Sequence, residues 1–126
     1  MSKSLDDKKP IFIQIKEVIE DQIMNDQLKE HEQIPSTNQL VQFYKVNHIT
    51  VSKGISLLVE EEIIYKKRGV GMFVAEGAKE KLVLQRREGF AEEFVLPMLN
   101  EAKKLKLSDS EIMKIIEQWK GSVKDD

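Results

Sequence analysis

The sequence predicts a mainly α fold with a small β-hairpin, an α+β winged helix-turn-helix domain followed by a two-helix tail. Three observations predict it. Residues 36–59 read STNQLVQFYKVNHITVSKGISLLV, two helical patterns around a short break. IIYKKRGVGMFV follows, two strand-like runs joined at Arg68 and Gly69. No Asp or Glu occurs in 33–59 or 63–75, although these spans hold Lys45, Lys53, Lys66, Lys67 and Arg68 and the whole chain has a formal charge of -2. A chain that is acidic overall but keeps carboxylates out of one contiguous motif has a reason to keep them out, and phosphate is the simplest one.

In chain order, residues 1–9 are polar and read as a flexible arm, with Asp6 and Asp7 arguing against a role on DNA. Pro10 suits a helix start. Ile11, Ile15, Val18, Ile19 and Ile23 then recur at helical spacing to about Asn25. Glu17, Glu20 and Asp21 mark the outer face of this helix. Residues 27–33 are a polar connection, in which His31 reads as a solvated loop residue.

The helix pair has its own punctuation. Ser36 and Gln39 are spaced as a capping box, in which each side chain satisfies the other's backbone N–H. Leu40, Phe43 and Tyr44 share one face of the first helix. Asn47 is a good N-cap for the second. There Val51, Ile55, Leu58 and Val59 form a core stripe, and Ile49, Ser52, Lys53 and Ser56 fall on the opposite face. A small polar surface with one cation and one isoleucine can enter a major groove, where hydroxyls and lysine bond base edges or phosphates and isoleucine touches thymine methyls. His48, in the first turn, is a candidate phosphate or base-edge contact. It is no metal ligand, because the other histidine is remote in sequence and no carboxylate adjoins it.

In the hairpin, Gly69 and Gly71 permit positive φ and a close approach of backbone to a ligand. A basic tip with Arg beside Gly is what a narrow minor groove attracts.

In the tail, Phe90, Phe94, Met98, Ala102 and Leu105 form one stripe over 82–107, which Pro97 should kink or cut short. Ser108 and Glu111 form a second capping box, opening a helix that carries Ile112, Ile115, Ile116 and Trp119. Two such helices have too little core to fold by themselves, and soluble monomers do not expose so large an apolar patch. The expected organisation is therefore an arm (1–9), a winged domain (10–76), a dimerisation tail (77–121) and a disordered end (122–126). The tail stripes are expected to form the interface of a C₂ homodimer; the alternative is a tail that packs back on its own winged domain.

PIFIQI near the start, IPSTNQL, the VNHITV turn and the closing RGVGMFV, in this order and spacing, resemble the DNA-binding domain of GntR-family transcription regulators over residues 10–74. The short tail resembles the YtrA-like subfamily. The resemblance implies a second helix in the major groove and a wing tip at the minor groove. It carries Ser36, Thr37, Asn38, Asn47, His48, Ile49, Thr50, Ser52, Lys53, Ser56, Lys67, Arg68 and Gly69 as DNA contacts. It also implies a homodimer on a palindrome, acting as a repressor of a transporter operon. Four positions depart from the family: Asn38 and His48 stand where arginine is usual or frequent, Glu62 where glycine separates helix from wing, and Met72 where the wing has threonine.

The sequence contains no cysteine, so it offers neither a disulfide framework nor a thiolate metal site. No apolar run approaches the ~18 residues of a membrane span, and the start lacks a signal-peptide core. A cytoplasmic protein without membrane contact is expected. No convergent set of catalytic groups or phosphate loop appears, so neither an enzyme nor a cofactor is expected. About 50 residues of tail cannot enclose a drug-sized cavity of roughly 300 Å³; an effector, if one binds, sits at the dimer interface or between tail and wing. The alternative to a DNA reader is a winged-helix module that docks a protein on the Ile49, Ser52 and Lys53 face.

Overall fold

The computed structural model describes residues 4–123 and divides the chain into two compact units, one ending at Leu84 and one beginning at Gln85. The first unit runs α1 (Ile11–Met24), α2 (Thr37–Tyr44), α3 (His48–Glu60), β1 (Ile64–Lys67), β2 (Gly71–Val74) and the start of α4 (Ala78–Phe90). The strands pair antiparallel with Ile64 opposite Val74 and Lys67 opposite Gly71. The loop before α2 lies along β2: His31 N–H donates to Val74 O, Val74 N–H to Glu32 O and Ile34 N–H to Met72 O.

The stripes close on one another. Ile15, Ile19, Leu40, Val51 and Leu58 are all at 0% exposure. Each such burial is worth about 1.5–3 kcal/mol. α1 crosses α3 closely enough that a Cβ at Gly54 would lie 2.6 Å from the Phe12 carbonyl oxygen, so glycine sets the approach of the two helices. Among the non-glycine residues in the left-handed region, Lys45 (φ 56) ends α2 and Glu62 (φ 61) stands between α3 and β1. Lys81 of α4 donates to the Glu61 carbonyl across that second turn.

Several expectations are corrected. Glu20 does not face outward; it is 6% exposed and pairs with Lys16, which also bridges Glu61 at the end of α3. Burial pulls the Lys16 ammonium down, but Glu61 and Glu20 outweigh it and hold the group above its ordinary range. Phe43 is 54% exposed, lying edge-on to Tyr44 at the margin of a short helix instead of beside Leu40 in the core. His31 is exposed but not merely solvated: its Nδ1 hydrogen-bonds the Tyr65 hydroxyl at 2.9 Å. The expected boundary after residue 76 moves outward, because Ala78 and Leu82 at the start of α4 are buried in the core of the first unit. Within the expected arm, residues 1–3 lie outside the described residues, but Gln14 holds the rest, accepting from Asp6 N–H and donating to the Asp6 and Lys9 carbonyls.

In the second unit the helix carrying the tail stripe continues from α4 through a π-helical turn, Ala91–Val95, into α5 (Leu96–Lys104). Leu96 N–H reaches back to Ala91 O, a five-residue step. The wider turn accommodates Pro97, whose missing N–H and bulky ring would otherwise break the ladder. α6 (Asp109–Trp119) opens on the expected capping box. The Ser108 backbone N–H and then its side chain hold the Glu111 carboxyl below the usual carboxylate range. A 3-10 turn, Lys120–Ser122, follows; of the expected disordered end, residues 124–126 lie outside the described residues.

Candidate nucleic-acid interface

Two helix N-termini and one hairpin tip carry the candidate contacts. At α2, Ser36 Oγ accepts from Gln39 N–H and Gln39 Oε1 accepts from Ser36 N–H. At α3, Asn47 Oδ1 accepts from Thr50 N–H. Ser36 and Asn47 are thus occupied as caps. What they present is a fixed helix N-terminus, in which Thr37 and Asn38, and likewise His48 and Ile49, have backbone N–H groups without an intrahelical acceptor. Such amides, with the positive end of the helix dipole, attract phosphate. The start of α2 is a fixed N-terminus of this kind, while Asn38 brings no guanidinium.

α3 presents its polar face as the spacing predicts. His48, Ile49, Lys53 and Ser56 are exposed, and Thr50 and Ser52 are partly so. Ile49 is 81% exposed, an arrangement with no stabilising role in the free chain but suited to an apolar contact with a base methyl. His48 Nδ1 lies 3.4 Å from Ser52 Oγ one turn on, so the two side chains share a site. Lys53 is more constrained than its exposure suggests: its ammonium lies 4.0 Å from the centre of the Phe12 ring, at the seam with α1.

Acidic groups sit at the other end of this helix. Glu61 engages Lys16 and Glu62 lies 3.8 Å from Lys81. The 13 residues of α3 span roughly 20 Å, so these carboxylates are far from the N-terminal face. Separation by helix length completes what the sequence shows as acid-free spans.

The wing tip places Arg68, Gly69 and Val70 in solvent between Lys67 and Gly71. Gly69 has φ 77 and Gly71 φ 143, conformations that favour glycine. Lys67 lies over the Phe73 ring at 4.9 Å, and Phe73 stacks on Tyr65. The structure therefore brings Lys67, Arg68 and Gly69 together on one hairpin, and His48 and Ser52 together on α3. Ser36, Thr37 and Asn38 form a separate cluster at the start of α2.

Val70, within the run that the sequence marks as the wing, is exposed at the tip. One residue that reaches it carried no signal in the sequence. Gln33 donates from Nε2 to the Val70 carbonyl at 3.0 Å; its partner is remote in sequence, so no local pattern reveals the contact.

The tail residues expected at an interface are largely uncovered. Phe90, Phe94, Leu105 and Trp119 are each more than half exposed, and the Phe90 and Phe94 rings lie 5.8 Å apart. Met98, Ile115 and Ile116 are exposed, Ile112 is half-buried, and Ala102 is buried within the chain itself. Met98, Ala102, Leu105, Ile112, Ile115 and Ile116 line a groove of ≈ 260 Å³ between α5 and α6. Among the described residues, no cluster of side chains could hold a metal ion and no helix is long and apolar enough to cross a membrane.

Comparison with known proteins places this surface in context. The family model for bacterial regulatory proteins of the gntR family matches residues 13–74. A solved GntR-family transcriptional regulator from Bacteroides thetaiotaomicron is 36% identical, with a TM-score of 0.68, over 89% of this chain and 97% of that one. The transcriptional repressor NagR of Bacillus subtilis is 32% identical over 84 residues, 67% of this chain and 34% of its own length. The DNA-binding domain of AraR, solved in complex with operator ORR3, is 31% identical, with a TM-score of 0.52, over 60% of this chain and 93% of that one. The chain spans between 27% and 34% of the length of the first curated relatives it matches.

Proposed function

The chain belongs to the GntR family of bacterial regulatory proteins, and from that premise we propose that it is a sequence-specific transcription regulator, a repressor that binds a palindromic operator as a homodimer. The observation that carries this reading is the exposed, acid-free N-terminal half of α3, with Ile49, Ser52, Lys53 and Ser56 outward and the carboxylates at the opposite end of the helix. Lys53 rests on Phe12 of α1 and Ser52 lies beside His48, while Ile49 and Ser56 stay exposed. The repressor role rests on the name of its relative NagR, and double-stranded DNA as partner on the AraR domain bound to its operator.

The dimer is drawn from the tail. Its apolar residues stay exposed in the single chain, and a C₂ pairing would cover them. Two recognition helices then meet two half-sites. The amphipathic helices of the tail resemble the YtrA-like subfamily, and that resemblance in turn suggests control of a transporter operon by a cytoplasmic protein. No enzymatic activity or cofactor belongs to this reading.

Footprinting on the DNA upstream of the protein's own gene, repeated across a salt series, tests it. A protected palindrome and an affinity that falls steeply with salt are expected. Weak binding that ignores sequence and salt would remove DNA as the partner and leave the α3 face as a protein-docking surface.

A further inference from the structure

The wing tip is a hairpin turn with glycine on either side of Val70, and its own closing bond is Val70 N–H to Lys67 O at 3.0 Å. Left to that bond, a tip of this composition samples many orientations. Gln33 reaches it from outside the hairpin. Its backbone bridges Phe73, and its side-chain Nε2 donates to the Val70 carbonyl. A Cβ on Gly71 would collide with the Gln33 amide nitrogen. Glycine at 71 therefore serves the crossing side chain as well as its own φ of 143. Gln33 stands just before Ile34, Pro35 and the Ser36 cap. One short segment thus carries both the start of α2 and the contact to the wing tip.

We propose that Gln33 is a positioning residue that fixes the wing tip relative to the helix pair, so that Arg68 and Val70 meet the duplex in a single orientation. It acts through the Val70 carbonyl and does not itself touch DNA. The inference rests on the DNA-binding reading above.

The test uses the full chain and a duplex selected by the wild type from a randomised pool. Its variants are Gln33→Ala, Gln33→Glu, Arg68→Ala and the Gln33→Ala/Arg68→Ala double. Gln33→Glu keeps the length of the side chain but removes the donor. A neutral hydrogen bond of this kind is worth about 3- to 10-fold in an equilibrium, and both Gln33 variants are expected to lose about that much affinity with no change in thermal midpoint. The double variant is expected to lose less than the sum of the two single losses, because both changes act through the same tip. Minor-groove protection should fade at the flanks of the site while major-groove protection stays. In the free protein, amide exchange at Val70 should accelerate in both Gln33 variants.

Full additivity of the Gln33 and Arg68 losses would mean that Gln33 contacts the duplex directly, and overturns the proposal. Unchanged exchange at Val70 overturns it independently. A wild type that shows no salt-dependent binding overturns the underlying DNA reading, and with it the role given to Gln33. Normal wild-type binding with additive losses overturns Gln33 alone.

Discussion

In the winged unit the residues spaced as core stripes are gone from solvent: Ile15 and Ile19 of α1, Leu40 of α2, Val51 and Leu58 of α3. In the tail, residues of the same spacing and equal or greater size stay in solvent, among them Phe90, Phe94, Leu105 and Trp119. The periodicity of the two regions is alike and the outcome is opposite. Helical spacing says that a face is apolar; it does not say what covers it. The winged unit has three helices, a hairpin and the start of α4 to set against one another, so each stripe meets another stripe from the same chain. The tail has two helices and a shallow groove, too few layers to close a core.

The largest test of this contrast is to separate the regions. The cut belongs after Leu84, not at the onset of α4, because Ala78 and Leu82 are part of the winged core. The truncated chain should stay folded and sediment as a monomer. If the tail is the dimer interface, specific operator affinity should fall by about 10²–10⁴, the effective-concentration gain that linkage supplies. Non-specific binding per domain should fall far less, since each keeps its basic surface. A truncated chain that remains dimeric, or a full chain that binds one half-site as tightly as the palindrome, would place the interface elsewhere.

Point substitutions sharpen the same contrast. Leu58→Ala should cost about 2–5 kcal/mol, as for a fully buried leucine. Trp119→Ala removes a larger side chain, but its effect on unfolding of the dilute monomer should be within about 0.5 kcal/mol. Its effect should appear instead as a concentration-dependent loss of dimer. Denaturation curves at two protein concentrations distinguish the cases, and a large effect of Trp119→Ala at the lower one would mean that the tail is structured without a partner.

On the winged side alone, Arg68→Ala should weaken binding to every sequence and lower the salt slope by about one unit if the guanidinium meets one phosphate. Lys53→Ala should do the same, with an added loss of about 0.5–1 kcal/mol of stability from the contact with Phe12. Unchanged slopes in both variants would remove the two cations from the interface.

Much of this architecture was legible because it is local. Both capping boxes, the Asn47 cap and the hairpin with its turn at Arg68 and Gly69 lie within a few residues of chain, and each appears where the sequence places it. The misreadings share a different cause. Glu20 looked like a solvent residue because Glu61, which helps to hold its partner Lys16, comes 41 positions later. Phe43 shares a face with buried Leu40 by spacing but stays exposed, at the margin of a helix that ends at Tyr44. Ala78 and Leu82 fell within the expected tail because neither belongs to a stripe of the winged helices, and their burial in the winged core depends on the fold. Gln33 was silent for the same reason as Glu20: its meaning lies in the Val70 carbonyl, far along the chain. At the candidate interface, exposure of the α3 face followed from periodicity, whereas the engagement of Lys53 with Phe12 required the fold.

The smallest expected effect concerns Glu62, where the winged unit departs from its family and from backbone preference at once. Its φ of 61 lies in the left-handed region, which costs a non-glycine residue about 1–2 kcal/mol. Two contacts from Lys81 oppose that cost. One, to the Glu61 carbonyl at 3.1 Å, involves backbone and survives any substitution at 62. The other, to the Glu62 carboxylate at 3.8 Å, ends on a side chain that is 84% exposed, and such surface pairs are worth about 0–1 kcal/mol. Glycine removes the strain, gives up the second contact and adds freedom to the unfolded chain that costs roughly 0.4–1 kcal/mol. Glu62→Gly should therefore stabilise the winged unit by no more than about 1 kcal/mol, read as a higher denaturant midpoint with unchanged slope. Operator affinity should not move, since the turn lies at the end of α3 remote from His48 and Ile49. A lower midpoint would mean that the Lys81–Glu62 pair holds the turn. Lys81→Met, which removes both contacts and leaves the strain in place, should then cost more than Glu62→Gly, and the first turns of α4 would be a structural requirement of the end of α3.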